Sequence, residues 1–129
     1  MLTVFPIPTK YLQEEGVAER RQREKELTAL FHDLLRPLLS PKLRLIGPDD
    51  PERKVGVISL DFCEKDNAEI AFALENDYGI LTRCGLHCAP SAHRTYGTFP
   101  GGTVRFSLGN TTTPEEIEAT VRAIKALLE

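Results

Sequence analysis

The sequence has only three cysteines, and three thiols cannot all pair. That fits a reducing, cytoplasmic setting better than a disulfide scaffold. No apolar run approaches the roughly 18–20 residues of a membrane span, so a transmembrane protein is not expected. The first ten residues have neither a basic region nor a long apolar stretch, and they are not expected to act as a secretory signal. Excess charge of one sign is lacking too. Sixteen Lys and Arg against nineteen Asp and Glu leave a net charge of −3. Such a balance gives no general attraction to nucleic acid or anionic lipid. Internal repeats and low-complexity tracts are absent.

What is present is an ordinary globular composition: 129 residues, 41% hydrophobic and 27% charged. A chain of that size forms one domain and buries roughly two-thirds of its unfolded surface. A long helix is expected over 11–36, with Leu27, Leu30, Phe31, Leu34, Leu35 and Leu38 as one apolar stripe. Its first half, 14–26, is nearly all charged and reads as a solvated face or as a surface against something outside this chain. Pro37 ends the helix.

Strands are expected over 43–46, 55–62, 80–85 and 103–108. In the second, Ile58, Leu60 and Phe62 share one face. Asp66 and Glu69 read as a capping box for a helix reaching Tyr78, closed by Gly79 in the left-handed conformation. Residues 86–102 read as an irregular loop. Thr113, Pro114 and Glu116 open a last helix that buries Ile117, Val121, Ile124 and Leu128. The order α-β-β-α-β-β-α predicts an α+β domain with a small, largely antiparallel sheet of three to four strands and helices on one face.

Two cysteines and two histidines fall between Cys84 and His93, in a segment that leaves a strand for a loop. Three readings compete. Cys84, His87, Cys88 and His93 are all plausible zinc ligands. Adjacent His87 and Cys88 would project apart, however, and the spacing misses the usual paired pattern. Alternatively Cys88 is a nucleophile, with His87 beside it and Arg83 and Arg94 near enough to favour the thiolate. In the third reading the cysteines are small packing residues, the preferred one for Cys63 and Cys84. His32 reads as a surface or boundary residue.

The run from Arg83 through Cys84, Gly85, Leu86, His87, Cys88, Ala89 and Pro90 is followed by Gly102-Thr103-Val104-Arg105-Phe106-Ser107-Leu108-Gly109. Thr113-Pro114-Glu115-Glu116-Ile117 comes next. In that order the chain resembles the C-terminal small domain of cysteine desulfurases and selenocysteine lyases, in the class V aminotransferase superfamily. The resemblance rests on an R-x-G-x-H-C-A signature and a following V-R-x-S strand. It extends back through Gly56-Val57-Ile58-Ser59-Leu60 and Gly47-Pro48-Asp49-Asp50-Pro51-Glu52-Arg53 to the 11–17 segment. It departs from the family at Asn110-Thr111-Thr112, where an aromatic pair and an asparagine are usual.

The resemblance implies a pyridoxal-phosphate enzyme acting on L-cysteine or L-selenocysteine. Cys88 would be the nucleophile that takes sulfur as a persulfide and releases L-alanine, while Arg105 and Arg83 bind the substrate carboxylate. His87 matches the motif without an assigned role. A sulfur-acceptor protein, as in iron–sulfur cluster assembly, and a homodimeric complete enzyme are implied as well.

The family's Schiff-base lysine and phosphate ligands have no counterpart here. Residues 1–129 are therefore expected to be a detached or truncated small domain, holding no pyridoxal phosphate and inactive alone, with no metal. None of the six lysines, Lys10, Lys25, Lys42, Lys54, Lys65 and Lys125, lies beside Cys88 in sequence. Two alternatives remain: a standalone persulfide-acceptor or interaction module, and a class V aminotransferase or epimerase relative without sulfur transfer.

Overall fold

A computed structural model describes residues 16–48, 50, 55–86, 89–109 and 111–129. Expectations for the 11–15 turn of the first helix, for Lys10 and Lys54, and for His87 and Cys88 lie outside the described residues.

Helix α1, Val17–Leu35, continues into a 3-10 turn over Arg36–Leu38. Pro37 sits in that turn, so the α-helix stops at Leu35 because Pro37 carries no amide hydrogen. Strands β1 (Arg44–Ile46) and β2 (Val57–Asp61) follow. Then come α2 (Asn67–Tyr78), β3 (Arg83–Gly85), α3 (Pro90–Tyr96), β4 (Thr103–Ser107) and α4 (Pro114–Leu128). The four strands form one sheet in the order β1-β2-β4-β3, and every pair is antiparallel. This is the expected α+β architecture.

Side-chain alternation decides which face of the sheet is covered. Ile58 and Leu60 of β2 pair with Phe106 and Val104 of β4, and all four are buried. Against them pack Leu27, Phe31 and Leu35 of α1, Ile70 and Leu74 of α2, and Ile117, Ala123 and Ile124 of α4. The rings of Phe31 and Phe106 meet edge to face at 5.7 Å and 67°, an arrangement that adds to the area they bury. Val121 and Leu128 lie at the margin of the core, half-buried.

Local chemistry sets the helix ends. Asp66 accepts a hydrogen bond from Ala68 N, and Gly79 closes α2 at φ 68°. Thr113 accepts from Glu116 N at the start of α4, where Pro114 occupies the first turn. These caps stand where the sequence placed them.

Four expectations need correction. Residues 86–102 are not wholly irregular, because α3 spans Pro90–Tyr96 and is closed by Gly97 at φ 74°. The third strand covers only Arg83–Gly85, and Ile80 instead joins the end of α2 through a bond from its N–H to Leu74 O. His32 is buried, since α1 packs on α4 as well as on the sheet and two adjoining helix faces are enclosed. Cys63 and Cys84 are exposed rather than packed. Cys63 falls in the turn after β2, and Cys84 stands on the edge strand, where a second neighbouring strand is lacking among the described residues.

The charged half of α1 is partly engaged. Arg23 donates to Thr112 O at 2.9 Å, and Arg21 pairs with Glu24 at 2.7 Å. Glu24 also lies against Gly56, where an added Cβ would stand 2.9 Å from its Cγ.

Candidate functional site

The sheet face turned away from the long helices carries the polar residues of alternate positions. Arg105 of β4 stands directly opposite Arg83 on one side and Ser59 on the other. Directly opposed residues of an antiparallel pair share a face, with Cβ atoms about 4.5–5.5 Å apart. Arg83 and Arg105 are therefore neighbours on the face that the helices of the described residues do not pack against. Like charges so placed destabilise a sheet unless an anion lies between or beside them. Arg105 is half-buried, and its Nε is buried with no hydrogen-bond partner among the described residues, whereas Arg83 is exposed. A desolvated guanidinium N–H without an acceptor is costly, and a carboxylate arriving on this face would supply one.

The strand bearing Arg83 ends at Gly85, at φ 104°. Leu86 follows, and Ala89 N donates to Leu86 O at 2.9 Å. The two residues between them, His87 and Cys88, are outside the described residues. Ala89 precedes α3, whose first residue is Pro90. The described chain thus brings Arg83 and Arg105 together and places Leu86 and Ala89, which flank Cys88, three and six residues beyond Arg83.

His93 is turned inward. Its Nδ1 lies 2.6 Å from Thr98 Oγ1, and Thr98 Oγ1 donates to His93 O at 3.3 Å. Both bonds are satisfied when Nδ1 carries the ring proton. Among the described residues no group of three or more His, Cys, Asp or Glu side chains could hold a metal ion. From the last turn of α3, Arg94 stacks over the Phe99 ring at 4.3 Å, a cation–π contact that secures the turn after the helix.

The Asp61 carboxylate, 2.9 Å away, holds the Arg44 guanidinium above its ordinary pKa, and Cys63 adds to the effect. A cavity of about 480 Å³ lies on the helix side among Phe31, Ile80, Phe106, Leu108, Ile117 and Ala119.

Pyridoxal phosphate, the cofactor of the resemblance, needs a lysine for its imine. No lysine lines that cavity. Lys42 pairs with Glu64 at 3.9 Å, and Lys65 donates to the carbonyl of Leu127. Lys25 stands on α1 and Lys125 on α4. The described residues do not compose a site for this cofactor.

The class V aminotransferase model matches residues 5–120. The chain belongs to that family. It is 39% identical over 83 residues to a probable cysteine desulfurase of Aeropyrum pernix, covering 64% of this chain and 20% of that protein. A probable cysteine desulfurase of Halobacterium salinarum is 31% identical over 114 residues, 88% of this chain and 26% of its own length.

Among solved structures, the apo cysteine desulfurase of Thermococcus onnurineus superposes with a TM-score of 0.83 at 25% identity, over 92% of this chain and 28% of that one. The cysteine desulfurase CsdA of Escherichia coli gives 0.75 at 23% identity, over 92% and 28%, and shares the fold. The chain spans about a quarter or less of the curated relatives it matches. No helix of the described residues is long and apolar enough to cross a membrane.

Proposed function

We propose that this chain acts as the small domain of a cysteine desulfurase-type enzyme, supplying the nucleophile and the carboxylate clamp. Cys88 would attack the substrate sulfur as a thiolate. An S–S bond forms as the C–S bond breaks, leaving a persulfide on Cys88 and L-alanine once the carbon is protonated. The electron pair of the broken bond needs a sink, and residues outside the described set would have to hold it. Arg105, assisted by Arg83, would grip the α-carboxylate of L-cysteine or L-selenocysteine through a bidentate pair. The complete assembly would be a cytoplasmic homodimer passing sulfur to an acceptor protein. His87 carries no assigned proton-transfer role in this reading.

The observation that carries the reading is the direct opposition of Arg83 and Arg105, together with the orphaned Arg105 Nε. Two positive groups placed side by side favour an anionic partner, and a small amino acid brings one.

The test compares the three thiols. Cys63 and Cys84 are both exposed, so access does not protect them from a small electrophile. Brief iodoacetamide treatment of the native chain, mapped by mass spectrometry, should label Cys88 first, because cationic neighbours raise its thiolate fraction. Preferential labelling of Cys63 or Cys84 would count against it. In parallel, the chain combined with the remaining segments of a relative should release alanine from cysteine, and Cys88→Ser should abolish that release.

A further inference from the structure

One end of the sheet is held by a buried amide that the proposed chemistry leaves without a role. Asn67, the first residue of α2, is 7% exposed. The helix cap is already supplied by Asp66, so the Asn67 side chain is available to reach sideways. Its Oδ1 accepts from Phe62 N at 3.0 Å. Its Nδ2 donates to Gly102 O at 3.1 Å and to Asp61 Oδ1 at 3.2 Å. The other Asp61 oxygen accepts from Arg44 at 2.9 Å. With two acceptors facing Nδ2 and a donor facing Oδ1, only one orientation of the carboxamide satisfies every group.

Gly102 carries this restraint onward. Its N–H donates to Thr98 O at 2.6 Å, and its φ is 70°. A Cβ there would stand 2.7 Å from Gly85 Cα and closer still to the Gly85 carbonyl. The two backbones therefore cross in direct contact, and Gly85 is the residue from which the chain leaves the sheet toward Leu86 and Cys88. Gly85 also pairs with Thr103, which follows Gly102.

We propose that Asn67 is a positioning residue. Its carboxamide, locked by Asp61 and Arg44, fixes Gly102 and through it the Gly85 crossing from which the cysteine segment departs. The inference rests on the reading of Cys88 as nucleophile. A sequence search for catalytic groups passes over Asn67, because Gly102 lies 35 residues away.

The experiment measures the pH dependence of Cys88 alkylation by iodoacetamide on the whole chain, read by mass spectrometry. Wild type is compared with Asn67→Ala, Asn67→Asp and Ile124→Ala, the last a core truncation in α4. Both Asn67 variants should change the Cys88 rate at least threefold at fixed pH and move its midpoint. Ile124→Ala should leave both unchanged when rates are compared at equal folded fraction. An unchanged Cys88 profile in the Asn67 variants, or the same change in Ile124→Ala, would overturn the proposal.

Should Asn67→Ala fail to fold, Asp61→Asn asks the same question, since it keeps the amide and removes its charged orienting partner. A smaller shift in the same sense supports the proposal, and no shift overturns it. The order of labelling among the three wild-type cysteines tests Cys88 as nucleophile independently of sulfur transfer. The change on substitution tests Asn67. The two failures are therefore told apart.

Discussion

Replacing Gly102 by alanine should damage this fold far more than the same change at Gly97, although both glycines have positive φ, 70° and 74°. At Gly97 an added Cβ meets nothing within 4 Å. Only backbone strain is then at stake, about 1–2 kcal/mol for an L-residue in the left-handed region. At Gly102 the methyl overlaps the Gly85 backbone, with Gly85 Cα at 2.7 Å. Ordinary carbon contacts are about 3.5–4.0 Å, so β3 must retreat by roughly 1 Å.

That retreat loosens the Gly85–Thr103 pairing and the bonds of Gly102 to Thr98 and Asn67, each bond contributing about 0.5–1.5 kcal/mol. Gly102→Ala should therefore cost about 3–5 kcal/mol, a large part of the stability of a small domain. Urea unfolding followed by circular dichroism, with slopes checked for equality, reads the difference. If the two variants unfold within about 0.5 kcal/mol of each other, the close backbone crossing is not as described.

Asp66→Ala and Thr113→Ala should each cost about 1 kcal/mol by orphaning a first-turn amide, Ala68 N and Glu116 N respectively. Their effects should add in the double variant, because the two caps share no partner; thermal unfolding of the three proteins checks both statements. In a complete enzyme, Arg105→Lys should raise KM for cysteine by about tenfold with a smaller change in stability, since lysine keeps the charge but loses the two-pronged donor. Steady-state kinetics beside a melting curve measures the split, and an unchanged KM would remove Arg105 from the carboxylate clamp.

Much of this fold follows from local sequence, and the reason is physical. The caps at Asp66 and Thr113, the left-handed Gly79 and the stop before Pro37 are decided within a few residues, by donors and dihedrals that neighbours supply. The alternation of Ile58 and Leu60 with Ser59, and of Val104 and Phe106 with Arg105, fixes two faces before any partner is known. The family signature around Arg83, Gly85, His87 and Cys88 is likewise a matter of order along the chain.

Helix α3 was legible in principle, since Pro90 suits a first turn and Gly97 a left-handed close. It was obscured by the density of reactive and turn-forming residues around it.

Burial that depends on the neighbours of an element is not written locally. His32 is enclosed because α4 lies over a second face of α1, and Cys84 is exposed because β3 falls at the edge of the sheet. Nor does sequence order reveal that Arg83 and Arg105, 22 positions apart, stand opposite each other, or that Asn67 reaches Gly102. Those juxtapositions arise from strand register, and register is set by how the apolar face meets the helices. The sequence thus determined the elements, their caps and the identity of the reactive groups. The tertiary structure alone decided which of those groups meet, because meeting is a consequence of packing between segments far apart in the chain.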